Sequence, residues 1–381
     1  MEASFFQLNL SPQTQWGRGS ASFSVTKISQ WGRRVFLVHG SAFERIEWFY
    51  NALIAEGLQI ERFTCAQEPT LDLVERGSRI AREFSAEVIV AIGGGAVIDC
   101  AKGIAGLAPA SGALLDYLEV VGSGKTLETQ PLPLIALPTT AGTGAEATAN
   151  AVIDVPAAAR KVSLRDRRLL PQLAVIDPGL TDGCPAQVTL ASGLDAITQV
   201  IEPYVSGKAN RFSDALCRAA IPLGLSALQR LMTQDSRNAR DDMAWCSYCG
   251  GVALANAGLG AVHGLAGPLG GVMHGPHGAI AGRLLPAVLA ENSRQAVGLA
   301  QDRLREVQQW LGDAFDVSGS DAIKALEAWI DRCGLPRLGE MGLKDEQIVS
   351  VAEAAAESSS MRGNPVPLTK AQLINILQCS I

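Results

Sequence analysis

The sequence predicts an α/β N-terminal domain, built on a doubly wound and mainly parallel sheet, followed by an all-α C-terminal domain. In the first half of the chain, short apolar segments alternate with stretches of helical periodicity. Glycine-rich turns follow two of these segments, and from about residue 185 long Ala/Leu-rich helical stretches replace them. Strands that alternate with helices form βαβ units, and such units build parallel sheets.

Buried strands are predicted where apolar residues run together, at residues 34–40, 58–64, 87–95, 133–140 and 173–178. Helical periodicity between them predicts helices over residues 43–56, 70–83 and 97–107. Further helices are predicted over residues 186–205, 211–232, 241–257 and 278–291, and no strand is expected after Ile176. We therefore divide the chain into an α/β domain over residues 1–183 and a helical domain over residues 184–381.

The composition excludes several classes of protein. The 381 residues carry a net charge of -6 without a basic segment, which argues against nucleic acid and anionic membranes as partners. No apolar segment reaches the roughly 18 residues that a membrane-spanning helix needs, and the first residues lack the pattern of a secretory signal. Eight irregularly spaced cysteines suit reduced thiols better than a disulfide framework. We expect a globular protein of the cytoplasm.

Two glycine-rich turns follow predicted strands, at residues 92–99 and 138–146. Glycine lets the backbone approach a phosphate closely, and the N-terminus of the next helix supplies free amides and a partial positive charge. Each turn alone is equally explained as a tight turn or as an exposed polar loop. Two such turns on one sheet favour a Rossmann-like nucleotide-binding domain.

The motifs at these turns resemble those of a known family. Residues 93–102 read GGGAVIDCAK, close to GGGSxxDxAK, and residues 138–146 read PTTAGTGAE, close to PTTAGTGSE. Both are motifs of the iron-containing alcohol dehydrogenases, and the resemblance extends from about residue 16 to residue 377. It implies an oxidoreductase that transfers hydride between NAD(P)H and a small aldehyde or ketone.

The resemblance also implies which residues bind the cofactor. These are the two turns, their neighbours and the end of the first predicted strand: Gly40, Ser41, Gly94, Gly95, Asp99, Thr139, Thr140, Thr143 and Lys161. Family members often carry an Asp at the end of the first strand, where it accepts from the ribose hydroxyl and repels a 2′-phosphate. Gly40 stands there, with Arg45 nearby. Both NAD and NADP therefore fit, and we favour NADP, although Gly40 and Ser41 are equally explained as a turn.

Family members hold a divalent metal with one Asp and three His. Asp195, His263 and His277 match three of these ligands, whereas Gln199 stands where the fourth, a His, is expected. The spacing of four puts Asp195 and Gln199 on one face of a helix, but an amide is a poorer ligand than an imidazole. Another family histidine, close to the nicotinamide, is replaced by Gly267. The resemblance therefore implies a divergent member that lacks two of the family's active-site histidines.

Two hypotheses follow for the chemistry. In the first, Asp195, His263 and His277 hold Fe or Zn weakly, with Gln199 or water as the fourth ligand. In the second no metal binds, and His263, His277 or His274 donates to the developing alkoxide. That alternative resembles the reduction of a keto acid by the maleylacetate reductases of the same superfamily. We favour the first because Asp195 has no evident purpose without a metal. The histidines are otherwise explained as buried helix caps.

The sequence is less consistent with a non-catalytic nucleotide-binding protein than with an enzyme. Loss of two histidines is also expected in a non-catalytic nucleotide-binding protein, but the retained Asp195, His263, His277 and both turns argue against it. The resemblance further implies a homodimer formed through an edge strand, and an active site in the cleft between the two domains. The identity of the substrate does not follow from the sequence.

Overall fold

The computed structural model describes residues 6–158, 160–273 and 275–381. These residues divide into two compact units. The α/β unit comprises Asn9–Thr140 and Gly144–Asp182. The helical unit comprises residues 6–8, Ala141–Thr143 and Gly183–Ile381.

The α/β unit is built on one six-stranded sheet in which every neighbouring pair of strands is parallel. Its strands are β1 (Gln13–Trp16), β2 (Arg34–His39), β3 (Gln59–Thr64), β4 (Val88–Gly93), β5 (Leu134–Pro138) and β8 (Leu173–Ile176). Their order across the sheet is β1-β8-β5-β4-β2-β3. The chain runs outward from β2 to β3 and returns to β4 on the other side of β2, so the direction of winding reverses there. In open α/β sheets, ligands bind at the carboxyl ends of the strands beside such a reversal.

Side chains from both faces of this sheet are buried. Along β2, Phe36 and Val38 belong to one apolar cluster, and Val35 and Leu37 belong to another. The helices of this unit are α1 (Ser20–Ile28), α2 (Glu47–Ala55), α3 (Leu71–Glu83), α4 (Gly95–Leu107) and the short α5 (Leu114–Tyr117). A sheet buried on both faces explains why its strands read as continuous apolar segments rather than alternating ones.

A separate two-stranded hairpin packs beside α4. It consists of β6 (Asn150–Val155) and β7 (Arg160–Arg165), which pair antiparallel. The fully buried Lys102 of α4 fastens the two elements, since its ammonium donates to Thr148 Oγ1 at 2.8 Å and to the Asn150 carbonyl at 2.9 Å. Burial lowers the pKa of Lys102 to about 8, against the opposing attraction of Asp99 and Glu146.

The helical unit contains nine α-helices in its described residues. They are α6 (Ala186–Val205), α7 (Arg211–Thr233), α8 (Arg237–Ala257), α9 (Ala261–Val272), α10 (His277–Gln295), α11 (Leu299–Phe315), α12 (Ala322–Arg332), α13 (Ile348–Ala356) and α14 (Lys370–Cys379). A single large apolar cluster joins them, and α6 lies among α7, α8 and α10. Helix α6 therefore carries its side chains into the interior of the unit.

The predicted fold class is confirmed, and the described residues contain no strand after Ile176. Four helices predicted in the C-terminal half correspond to α6, α7, α8 and α10. The sequence analysis missed β1, α1 and the β6–β7 hairpin, as well as α9 and the helices after α10. Among the described residues no single helix is long and apolar enough to cross a membrane; α8 and α9, bent by 100°, pass that test only as a pair, by length and composition.

Candidate active site

Helix α6 presents three polar side chains on one face. Asp195, Gln199 and Glu202 are spaced by four and three residues, which places them one above another along the helix. Their exposed fractions are only 1%, 3% and 4%. Polar groups buried to this extent need partners, because an unmade buried hydrogen bond costs about 1–3 kcal/mol.

Helices α9 and α10 bring two imidazoles to this face. His263 lies in the first turn of α9 and is buried, whereas His277 begins α10 and is half-buried. The Nε2 atoms of His263 and His277 lie 3.3 Å and 4.0 Å from Asp195 Oδ1. One ligand atom from each of these three residues falls within 4.8 Å of the others. The structure therefore gathers three of the four residues that the sequence analysis assigned to a metal.

Gln199, the fourth, joins the same cluster through its amide. Its Nε2 donates to Asp195 Oδ2 at 3.1 Å, which leaves Oε1 as the free end of the side chain. Three buried atoms here lack a hydrogen-bond partner among the described residues: Asp195 Oδ1, Gln199 Oε1 and His263 Nε2. Only three other buried side-chain atoms without a hydrogen-bond partner occur among the described residues. Two oxygens and an imidazole nitrogen left unsatisfied together, beside a second imidazole, fit a divalent cation.

The electrostatics of the cluster favour positive charge. Burial raises the pKa of Asp195, but the adjacent His263 ring, the charge of His277 and the amide of Gln199 lower it below its ordinary value. Burial lowers the pKa of His263, yet the charges of Glu202 and Asp195 outweigh it and raise that pKa to about 10. Two buried carboxylates facing two imidazoles thus hold a cation, either a proton on the ring or a metal ion.

The sequence analysis singled out two further positions near these ligands, His274 and Gly267. His274, proposed as a hydrogen-bond donor, lies outside the described residues. Gly267 lies one turn along α9 from His263, and no described atom comes within 4 Å of where its Cβ would be. Among the described residues, the helix face next to His263 is therefore open at the position where the resemblance predicts a histidine in other family members.

The two glycine-rich turns begin side by side on the α/β unit, at the ends of β4 and β5. Gly93 and Pro138, the last residues of β4 and β5, are registered partners, and the Thr139 amide donates to the Gly93 carbonyl at 3.0 Å. Gly94 precedes α4 without a side-chain cap, so the first amides of that helix have no side-chain acceptor there. A Cβ on Gly94 would lie 3.3 Å from Thr140 Oγ1. Free helix amides beside a backbone without side chains suit a pyrophosphate.

The end of β2 lacks the acidic residue that often binds the adenosine ribose in NAD-binding sheets. The strand ends at His39, and Gly40 and Ser41 contribute no carboxylate. The nearest described atom to a Cβ on Gly40 would be Val97 Cγ2, at 4.0 Å. Arg62 lies on the neighbouring strand with its guanidinium 4.4 Å from the centre of the Phe43 ring. This strand end is therefore open and carries no carboxylate at Gly40 or Ser41.

Three other predicted cofactor residues are placed differently. The Asp99 carboxylate accepts from the Val152 amide at 3.2 Å and lies 3.8 Å from the Lys102 ammonium, so it holds the β6–β7 hairpin. Lys161 lies on β7, with its ammonium 3.8 Å from Glu68. Thr143 belongs to the helical unit, whereas Thr139 and Thr140 belong to the α/β unit. The cofactor assignment of Asp99, Lys161 and Thr143 thus stays a prediction from the resemblance.

Glu202 is a site residue that the sequence analysis missed. Its Oε2 lies 2.6 Å from His263 Nδ1, and its Oε1 accepts from the Val262 amide at 2.7 Å. Its spacing of seven residues from Asp195, which places both on one face of a predicted helix, was the available signal.

A nucleotide-binding sheet and a buried set of oxygen and imidazole donors together define a class, the metal-assisted oxidoreductases that use a dinucleotide. Residues 12–178 match the family described as iron-containing alcohol dehydrogenase, and residues 189–381 match the C-terminal family of the Fe-containing alcohol dehydrogenases.

Characterised relatives match most of the chain. Alcohol dehydrogenase 4 of Saccharomyces cerevisiae is 37% identical over 325 residues, which cover 84% of this chain and 83% of that protein. The NAD-dependent methanol dehydrogenase of Bacillus methanolicus is 32% identical over 381 residues, covering 96% and 97%. The crystal structure of a 1,3-propanediol oxidoreductase superposes with a TM-score of 0.89 at 29% identity, covering 99% of this chain and 100% of that one. The chain belongs to the iron-containing alcohol dehydrogenase family, and the predicted family and class of enzyme are confirmed.

Proposed function

We propose that the protein interconverts a small aldehyde or ketone and its alcohol with NAD(P)H, assisted by a divalent metal ion held by Asp195, Gln199, His263 and His277. The single observation that carries the metal part is the set of three unsatisfied buried atoms, Asp195 Oδ1, Gln199 Oε1 and His263 Nε2, in a cluster where ligand atoms of Asp195, His263 and His277 lie within 4.8 Å of one another. The relatives named above act on alcohols, and the two glycine-rich turns supply a pyrophosphate site.

The chemistry divides between the bound groups and the chain. A bound divalent ion polarises a carbonyl oxygen, and NAD(P)H supplies the hydride that reduces the carbonyl carbon. Asp195 contributes the only anionic ligand in the set, and Gln199 contributes a neutral oxygen. His277, whose side chain is 32% exposed, is the most accessible of the ligands. The apolar core around α6 excludes water, which strengthens every interaction at the cluster.

Three finer statements belong to this proposal. NADP(H) is favoured over NAD(H), because Gly40 and Ser41 leave no carboxylate to repel a 2′-phosphate and Arg62 adds positive charge nearby. The protein works in the cytoplasm, in keeping with eight unpaired cysteines. It forms a homodimer through β1, which lies at one edge of the sheet and pairs there only with β8.

The test is the oxidation of NADPH and of NADH against a panel of short and branched aldehydes and ketones. The protein is first treated with a chelator and then supplied with Fe²⁺, Zn²⁺ or Mn²⁺ in turn. We expect activity to disappear on chelation and to return with at least one of the metals. Turnover that is indifferent to chelation would instead support direct donation by a histidine, and cofactor binding without any turnover would support a nucleotide-binding protein.

A further inference from the structure

We infer that Glu202 is a positioning residue that keeps the Nδ1 of His263 protonated and so presents the Nε2 lone pair to the cation site. This inference rests on the proposed metal site. It concerns a residue outside the ligand set, at the seventh position after Asp195 on α6.

Both oxygens of the Glu202 carboxylate are used within the helical unit. Oε2 faces His263 Nδ1 at 2.6 Å, a distance typical of a charge-assisted hydrogen bond. Oε1 accepts from the Val262 amide at 2.7 Å, which is one of the amides left without an acceptor at the start of α9. One buried carboxylate therefore fixes both the first turn of α9 and the imidazole that this turn carries.

The tautomer of His263 follows from these contacts. A carboxylate only accepts, so the ring nitrogen facing Glu202 must be the one that carries hydrogen. The other nitrogen, Nε2, has no hydrogen-bond partner among the described residues and lies 3.3 Å from Asp195 Oδ1. Rotating the ring by half a turn would break the bond to Glu202, and the ring is therefore held with Nε2 toward the cation site. Carboxylate partners of metal-binding histidines act in this way in general.

Substitution of Glu202 by Gln separates this role from a role in packing. The amide has nearly the same shape, and its oxygen can still accept from the Val262 amide. Its NH2 group would then face His263 Nδ1 and donate to it, which places the ring proton on Nε2 instead. A ring protonated at Nε2 has no lone pair for a metal. The change therefore reverses the tautomer while the helix contact is kept.

The experiment measures zinc affinity and ring protonation in the full-length protein. We expect Glu202→Gln to weaken zinc binding by about 10–100-fold in titrations of the metal-free protein. The matched control is Glu291→Gln, since Glu291 is also buried, at 5% exposure, and contacts Arg294 and Gln372. That control should bind zinc as the wild type does, and thermal melting should show both variants folded.

Nitrogen-15 spectra of the histidine rings give a readout that packing alone would not move. The chain has only 4 histidines, and in zinc-loaded wild type we expect His263 to carry its proton on Nδ1. Equal zinc affinity in Glu202→Gln and wild type, or a wild-type ring protonated on Nε2, overturns the role of Glu202. A wild-type protein that binds no zinc overturns the metal site itself. The wild-type spectrum decides the tautomer even if the variant fails to fold.

Discussion

The carboxyl ends of β4 and β5 and the face of α6 are both assigned to ligand binding, yet they use different chemical groups. At the carboxyl end of β4, the site is formed by the backbone of Gly93 and Gly94 and by the first amides of α4. On α6 the site consists of side chains, with a carboxylate, an amide and a supporting Glu202 in the interior. A substitution at the first site changes its shape, whereas a substitution at the second changes which ligand it prefers.

This difference matches where the chain departs from its family. The glycines of both turns are kept, and only serine positions have become alanine. At the helical cluster, the motif resemblance predicts that Gln199 and Gly267 stand in place of two imidazoles. On that prediction the backbone site has kept its shape, whereas the side-chain site has exchanged one imidazole for an amide and lost another. Four substitutions test this comparison.

The largest effect is expected at Asp195. Asp195→Asn removes the only anionic ligand without changing the shape of the side chain. We expect kcat/KM for aldehyde reduction to fall by about 10³-fold, equivalent to several kcal/mol of lost stabilisation in the transition state. Metal content measured on the purified protein should fall with it. Asp313→Asn, on the exposed face of α11, is the control, and unchanged metal content in Asp195→Asn would remove this residue from the site.

Gly40→Asp tests whether the missing carboxylate at the end of β2 sets the preference between NADPH and NADH. A carboxylate there would repel a 2′-phosphate and accept from a ribose hydroxyl, so preference should move from NADPH toward NADH. We expect the ratio of kcat/KM for the two cofactors to change by about 100-fold, because like charges in contact cost several kcal/mol. The ratio is read with one aldehyde at a fixed concentration, which makes each cofactor the control for the other. An unaltered ratio would place the 2′ position elsewhere.

Gly94→Val tests the shape of the backbone site. Its Cβ would lie 3.3 Å from Thr140 Oγ1, so the larger side chain fills the space assigned to the pyrophosphate. Overpacking of this kind costs about 1–3 kcal/mol, which corresponds to weakening of NADPH binding by about 10–100-fold. Fluorescence titration measures the affinity. Gly207→Val is the control, since no described atom lies within 4 Å of a Cβ there, and equal loss in both variants would contradict the assignment.

The smallest effect is expected at Gln199. Gln199→His supplies the imidazole that the family uses, and we expect divalent metal affinity to rise by about tenfold, or roughly 1.4 kcal/mol. The measurement is competition with a chelator of known affinity. Weaker binding would show that the cluster is adapted to an amide oxygen and that its other donors have moved accordingly.

The sequence predicted more of the sheet than of the site. Continuous apolar segments mark β2, β4 and β5 because this sheet is buried on both faces. The hairpin of β6 and β7 escaped prediction because its segments, NAVIDV and RKVSLR, are short and interrupted by polar residues. The strand β1, QTQW, has no apolar segment at all.

Within the site, only the relations along α6 follow from spacing alone. Asp195, Gln199 and Glu202 share a helix face because they are spaced by four and three residues. The approach of His263 and His277 depends on how α9 and α10 pack on α6, which no local pattern encodes, and the family resemblance supplied it. Glu202 was missed for the same reason, since its partner His263 lies 61 residues away in the chain.

The buried Lys102 makes the α4–hairpin contact observable in solution. Its side chain is fully enclosed, and burial lowers the pKa of its amine to about 8. Amine-reactive reagents can therefore reach it only when the hairpin detaches from α4. The rate at which this one lysine is acylated, relative to the exposed Lys125, reports how often that detachment occurs.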